Sequence, residues 1–247
     1  MKLDITAASR VGCVRKNNED MILVDEWFIR NGRMSARFDT LGTDRYLLAL
    51  ADGMGGHNSG EVASSDVLHN LRFFFSDLPI GLNVSGFNEA IYEWLTSINN
   101  IIDSKGREDS RYTGMGTTLV SLAYYGGEFF WMNCGDSRLY RYRDGQIEQL
   151  STDHSLSNLM GSSAHTNVIT NCIGGGCKTS FIDIIDFTSD VKPADQYLLC
   201  SDGLSDMLSD EEIAQRLSND FDADSLCRDA ELAGGIDNVS AIVVRVS

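Results

Sequence analysis

Four aspartates stand where the chain breaks out of a predicted strand, three of them after an apolar run: Asp52 in LLALADGMGGH, Asp136 in MNCGDSR, Asp202 in YLLCSDG and Asp237 in GGIDNVS. A strand buried in a core must end at the edge of that core. An aspartate at that point delivers a carboxylate to whatever lies there. Three of the four have a glycine directly before or after them, which lets the backbone turn sharply and lets a ligand come close. One Asp-Gly pair marks no more than a turn. Four carboxylates at one edge are different, because they raise one another's pKa unless a cation neutralises them. The fold must therefore gather several strand ends, and the chemistry that suits such a place is a hard divalent cation held by oxygen ligands.

Size and charge narrow the class further. The chain has 247 residues and 43% hydrophobic content, enough for a substantial core. With only two prolines and no Pro- or Ser-rich stretch, no linker is visible, and one domain over 1–247 is expected. A net charge of -16 argues against nucleic acid, where affinity comes mainly from cations meeting phosphates. No apolar run approaches the roughly 18 residues that cross a bilayer, and MKLDITAASR lacks the apolar core of a signal peptide. A cytoplasmic monomer without membrane or nucleic-acid partners is the expectation. The six cysteines form no CxxC pair. Cys134 and Cys200 sit in apolar runs as small buried hydrophobes, and a Cys172–Cys177 redox pair is the minor reading in a reducing compartment. The four histidines have no zinc-type spacing.

Along the chain, hairpins alternate with helix pairs. LDITAAS, MILVDEWF and RYLLALAD read as strands. Val62, Val67, Leu68, Leu71 and Phe75 recur at helical spacing between Gly60 and Asp77. Phe87, Ile91, Trp94, Leu95, Ile98, Ile101 and Ile102 form the apolar stripe of a second helix, with Ser85 or Gly86 as its cap. TTLVSLAYY and EFFWMNC flank a Gly126-Gly127 turn, and RLYRYR and QIEQL flank Asp144-Gly145. FIDIIDF reads as a half-buried strand and QYLLCSD as a buried one. Helices follow around Asp210–Leu217 and Asp224–Ala233, before a last strand in VSAIVVRV. Hairpin-joined strands imply antiparallel sheets, and paired helices would cover their outer faces. The stretch from Asp153 to Ser180, rich in Ser, Asn and Gly, reads as a long functional loop, a flap over about 154–180.

The motifs, taken in order, resemble those of bacterial metal-dependent protein phosphatases of type 2C. The matching segments are Gly12-Cys13-Val14-Arg15-Lys16-Asn17-Asn18-Glu19-Asp20, Asp52-Gly53-Met54-Gly55-Gly56-His57 with Gly60-Glu61-Val62-Ala63-Ser64, Gly114-Met115-Gly116-Thr117-Thr118, Gly135-Asp136-Ser137-Arg138, Ser201-Asp202-Gly203-Leu204 and Asp237-Asn238. The resemblance covers essentially the whole chain. It implies an α+β fold, a four-layer α-β-β-α sandwich of two antiparallel sheets between helix pairs.

The same resemblance implies a site. Asp52 would bridge two Mn²⁺ or Mg²⁺ ions, with the Gly53 carbonyl as a further ligand. Asp202 and Asp237 would complete one ion's shell and Asp20 would hold the other, while Asp136 with Asp202 would take a third ion. Glu19 stands where many relatives have Gln, which suits a supporting role. Arg15 would grip the phosphate, no phosphoenzyme is needed, and His57 is a candidate proton donor because Met54 replaces the histidine of eukaryotic relatives. The flap resembles a shortened version of the bacterial one. The implied function is hydrolysis of phosphoserine and phosphothreonine in phosphorylated proteins, opposing a Ser/Thr kinase. The alternatives are a regulatory or binding module of the same fold and a hydrolase of small phosphate esters.

Overall fold

A computed structural model describes residues 1–55, 59–160 and 168–247. Gly56, His57 and the middle of the 154–180 stretch lie outside the described residues. In chain order the elements are β1 (Lys2–Arg10), β2 (Met21–Val24), β3 (Trp27–Ile29), β4 (Gly32–Asp39), β5 (Arg45–Ala51) and β6 (Gly53–Met54), then α1 (Ser59–Asp77) and α2 (Val84–Glu108). There follow β7 (Gly116–Thr117), β8 (Leu119–Tyr125), β9 (Glu128–Cys134), β10 (Arg138–Arg143), β11 (Gln146–Gln149), α3 (Leu156–Met160), β12 (Ile173–Gly174) and β13 (Asp183–Asp186). The chain closes with β14 (Gln196–Cys200), α4 (Asp202–Ser205), α5 (Asp210–Asn219), α6 (Ala223–Leu232) and β15 (Val239–Val246).

Two six-stranded antiparallel sheets run in the orders β11-β10-β14-β15-β1-β4 and β13-β9-β8-β5-β2-β3, and the short strands β12-β7-β6 form a ribbon beside them. Strand alternation sorts the side chains into three apolar layers. From β5, Leu48 and Leu50 point between the sheets with Ile242 and Val244 of β15. Leu47, Ala49 and Ala51 of the same strand pack instead under α1 and α2, against Leu68, Phe87 and Trp94. On the opposite outer face, Ala241 and Val243 lie under Ile213 of α5 and Leu226 of α6. Each fully buried Leu or Val in these layers stabilises the fold by about 1.5–3 kcal/mol before chain entropy is counted. This is the expected α-β-β-α order. Among the described residues no helix is long and apolar enough to cross a membrane.

Four expectations need correction. MILVDEWF is a hairpin and not one strand, because Asp25 turns the chain with a φ of 53° and β2 folds back onto β3. β4 escapes the sequence reading, although it pairs with β1 along its whole length. Its apolar residues Met34, Ala36 and Phe38 alternate with Arg33, Ser35 and Arg37, and charges of that kind blunt an edge strand. The α2 stripe is core except for Ile101, which is 50% exposed, and its cap is Asn83, whose side chain accepts from Gly86 N–H. The stretch after Asp153 is not all loop, since it contributes α3 and β12, and β12 pairs with β7.

Candidate metal centre

Antiparallel register decides where the aspartates go. Met21 at the start of β2 faces Ala51 at the end of β5, so Asp20 and Asp52 leave the sheet together. In the other sheet, Cys200 at the end of β14 faces both Arg138 of β10 and Ala241 of β15. Asp136, Asp202 and Asp237 therefore emerge at one end too. The two ends are the same end of the sandwich, because Ser201 Oγ donates to Asp20 Oδ2 at 2.9 Å and Glu19 N–H donates to Asn238 Oδ1 at 2.8 Å. The fold collects five acidic residues from both sheets into one basin.

Backbone contacts hold each carboxylate in place. The Asp52 carbonyl accepts from Thr118 N–H at 2.9 Å and from Thr117 Oγ1 at 2.8 Å, while Asp52 N–H donates to Thr118 Oγ1. The Thr118 hydroxyl in turn meets Ser137 Oγ at 2.7 Å, which ties the Asp52 end to the Asp136 turn. Gly53 is obligatory here: a Cβ at that position would lie 2.1 Å from the Gly60 carbonyl oxygen. His154 is buried beneath this turn. Its Nδ1 accepts from Gly135 N–H at 3.1 Å and meets the Asn171 amide at 2.8 Å, which leaves Nε2 to donate to Asp183 Oδ2 at 3.0 Å.

The segment carrying Arg15 is pinned from the far end of the chain. Asn238 Nδ2 donates to the carbonyls of Val11 and Asn17 at 2.8 and 2.9 Å, while its Oδ1 holds Glu19. Arg15, with a side chain 53% exposed, donates to Asp237 Oδ2 at 2.6 Å. It thus stands at the lip of the basin. Arg30 fixes the other side by donating to the carbonyls of Asn18 and Glu61.

The electrostatics of the basin are those of crowded, desolvated carboxylates. Asp20 is 1% exposed. Burial first, and then the charges of Asp202 and Asp237, push its carboxyl up, against the hydrogen bonds of Ser240 and Ser201. Asp52 is raised well above the usual range by burial and by Asp20, Asp202, Asp136 and Asp237. Asp202 shifts the same way through burial and Asp237, and Asp136 rises to about 7 through burial and Asp202. Glu19 is also raised, mainly by burial.

The donor set fits a hard cation. Asp20 Oδ1 and Asp202 Oδ1 are buried without a hydrogen-bond partner, an arrangement that costs free energy unless something positive meets them. Among the described residues no three acidic, thiol or imidazole groups already close into a finished cage. The basin is a set of converging carboxylates whose mutual repulsion a divalent ion would offset.

Some contributors are not legible in motifs. Asp206 adds its charge to Asp136 and Asp202, and its place four residues after Asp202 is the one signal for it. Ser201 stands in the Ser201-Asp202-Gly203-Leu204 segment with no role to mark it, and Ser240 sits in the apolar strand β15. Arg30 is an isolated arginine beside an edge strand.

Fold and basin together define a two-sheet sandwich with a carboxylate site suited to a divalent ion. Residues 35–231 match the family model described as Protein phosphatase 2C, and the chain belongs to that family. It is 32% identical to the protein phosphatase PhpP of Streptococcus pneumoniae, over 99% of this chain and 98% of that protein. It is 34% identical to the serine/threonine protein phosphatase PstP of Mycobacterium tuberculosis over 99% of this chain, but spans only 45% of that relative's length. Among solved structures, the S. agalactiae serine/threonine phosphatase superposes with a TM-score of 0.83 at 28% identity, covering 99% of this chain and 100% of that one. The catalytic domain of PstP, in complex with two manganese ions, superposes with a TM-score of 0.76 at 31% identity over the whole of both chains.

Proposed function

We propose that this chain is a metal-dependent protein serine/threonine phosphatase, acting as a single catalytic unit on phosphoserine and phosphothreonine. The observation that carries the reading is the basin of five aspartates with two unpartnered buried oxygens and a guanidinium at its lip. Family membership and the manganese-bound relative support it. Bound there, two Mn²⁺ or Mg²⁺ ions would supply Lewis-acid chemistry and an acidified water. Asp52 and the Gly53 carbonyl would help hold them, with Asp202 and Asp237 completing the shell of one ion and Asp20 that of the other. Asp136 with Asp202 is the place for a third ion. The remaining partner and location assignments, a Ser/Thr kinase opposed by a cytoplasmic monomer, accompany this reading.

The test is hydrolysis of a phosphothreonine peptide by purified protein with Mn²⁺, with EDTA, and against sugar phosphates. Turnover that requires Mn²⁺ and favours the peptide is expected. Mn²⁺-independent turnover would sink the mechanism, preference for sugar phosphates would favour a small-ester hydrolase, and inactivity would favour a binding module.

Arg15 gives a second, separate outcome. A cation held by Asp237 would compete with its ion pair to Arg15, and the guanidinium could then offer its fork to two phosphate oxygens. Losing one such charge-assisted contact, about 1.5–3 kcal/mol, lowers kcat/KM roughly ten- to 150-fold in Arg15→Ala. The loss should fall mainly in KM, because the ester carries its charge before attack. Arg15→Lys should recover little, since a point charge has no fork. Unchanged kcat/KM in Arg15→Ala would leave this residue a surface ion-pair partner.

A further inference from the structure

A second cationic feature lies beside the Arg15 segment. A cavity of about 400 Å³ is lined by Arg10, Gly12, Arg33, Asp224, Arg228 and Glu231, among others. Three guanidiniums converge there on one carboxylate. Arg10 NH1 lies 3.0 Å from Asp224 Oδ1, while Arg33 NH1 and Arg228 NH2 lie 3.2 and 2.8 Å from Asp224 Oδ2. Arg10 also reaches Glu231 Oε2 at 2.8 Å. Three positive groups therefore face two negative ones in a protein whose net charge is -16.

A structural clamp for Asp224, which is 4% exposed, needs less than this. Arg10, itself 34% exposed, already pairs with it. Arg33 and Arg228 are 65% and 57% exposed and each give one nitrogen to Asp224. The rest of each guanidinium fork faces outward, with donors spare for a second anion.

Position supplies the other half of the argument. Gly12 lines the cavity and also packs against the backbone carbonyl of Asp237, where a Cβ would come within 2.1 Å. Arg15 follows three residues later, so the backbone positions of Gly12, which lines the cavity, and Arg15 are at most about 11 Å apart. An extended peptide covers the same distance in about three residues.

We propose that this cavity is a second anion subsite, where Arg33 and Arg228 take a carboxylate or phosphate side chain two or three residues from the phosphoserine or phosphothreonine being cleaved. The inference rests on the phosphatase reading and specifies its substrates: phosphosites flanked by acidic or further phosphorylated residues. In a mostly acidic protein, a local excess of positive charge also steers such a substrate to the correct end of the sandwich.

The test compares three phosphothreonine peptides, bearing Glu, phosphoserine or Ala three residues from the target, with p-nitrophenyl phosphate. Wild-type protein with Mn²⁺ should favour the Glu and phosphoserine peptides over the Ala peptide by about fivefold to tenfold in kcat/KM, fading in 0.5 M salt. The double variant Arg33→Ala/Arg228→Ala should lose that preference and keep its turnover of p-nitrophenyl phosphate. Arg33→Lys should retain most of it, and Arg33→Glu should favour a Lys-flanked peptide. A preference for one anion alone would identify the source of the anion. Equal kcat/KM on all three peptides in the wild type, or a loss shared equally by p-nitrophenyl phosphate in the double variant, would overturn the subsite and leave a clamp on α6. If the wild type hydrolyses nothing, the phosphatase reading fails separately. Fluorescence anisotropy of the labelled Glu peptide then decides, with weaker binding in the double variant supporting the subsite and equal binding refuting it.

Discussion

Asp52→Asn should lower kcat/KM by at least about a thousandfold and, at the same time, make the metal-free protein more heat-stable. The first effect follows from replacing an anionic carboxylate at the end of β5 with a neutral amide that has a single oxygen, where several kcal/mol of Lewis-acid stabilisation and the nucleophile itself would be at stake. The second follows from the basin's electrostatics. Asp52 is held well above the usual carboxylate range by burial and by four other aspartates, so without metal the fold works against its charged form. An asparagine carries no such charge. Relief equivalent to one pKa unit is about 1.4 kcal/mol, or about 3–5 °C in Tm for a domain of this size. The contacts of the Asp52 backbone with Thr117 and Thr118 survive the substitution. Calorimetry without metal, beside an assay with Mn²⁺, reads both effects. A variant that is inactive and also less stable without metal would show that Asp52 acts as a structural brace.

Mn²⁺ should raise Tm much more at pH 7.5 than at pH 5.5. The carboxyls of Asp20, Asp52, Asp136 and Asp202 are all shifted upward in the metal-free fold. Folded protein therefore binds more protons than unfolded protein above about pH 4. These groups favour the fold at low pH, and that contribution is lost as pH rises through their folded pKa values, near 7 for Asp136. Metal-free Tm should accordingly fall between pH 5 and pH 7.5. A divalent ion must displace the same protons, so its apparent affinity should rise about tenfold per pH unit for each proton released. Bound ion stabilises the fold by mass action, and its effect grows where the apo protein weakens. An Mn²⁺-induced shift of equal size at both pH values would place the ion elsewhere.

The parts of this molecule that are legible in its sequence are those where local pattern and global fold agree. β5 and β15 are continuous apolar runs because both their faces are covered, and their ends are marked by Asp52 and Asp237. The turns at Gly126-Gly127 and Asp144-Gly145 announce themselves through positive φ at all four residues. α2 declares its buried face through Phe87, Trp94 and Ile98. β4 is harder, since its inward face is only Met34, Ala36 and Phe38, and arginines occupy the other. Asp25 is harder still, because a left-handed aspartate inside an apolar run is invisible to periodicity. For the site, spacing reveals which residues end strands but not what holds them. Ser201 reaching Asp20, Arg30 bridging Asn18 to Glu61, and Asp206 adding its charge are all contacts between distant segments, which one-dimensional pattern cannot encode.

The side chain of Asn238 joins residues 11, 17 and 19 to the beginning of the last strand. Synthesis therefore delivers Arg15 long before the group that orients its segment, which is absent until residue 238 has been made. Asp237 arrives at the same moment. The basin is a two-key lock whose keys, Arg15 and Asp237, stand 222 residues apart in the sequence, and a partly made chain can form the β13-β9-β8-β5-β2-β3 sheet without acquiring the chemistry of the finished protein.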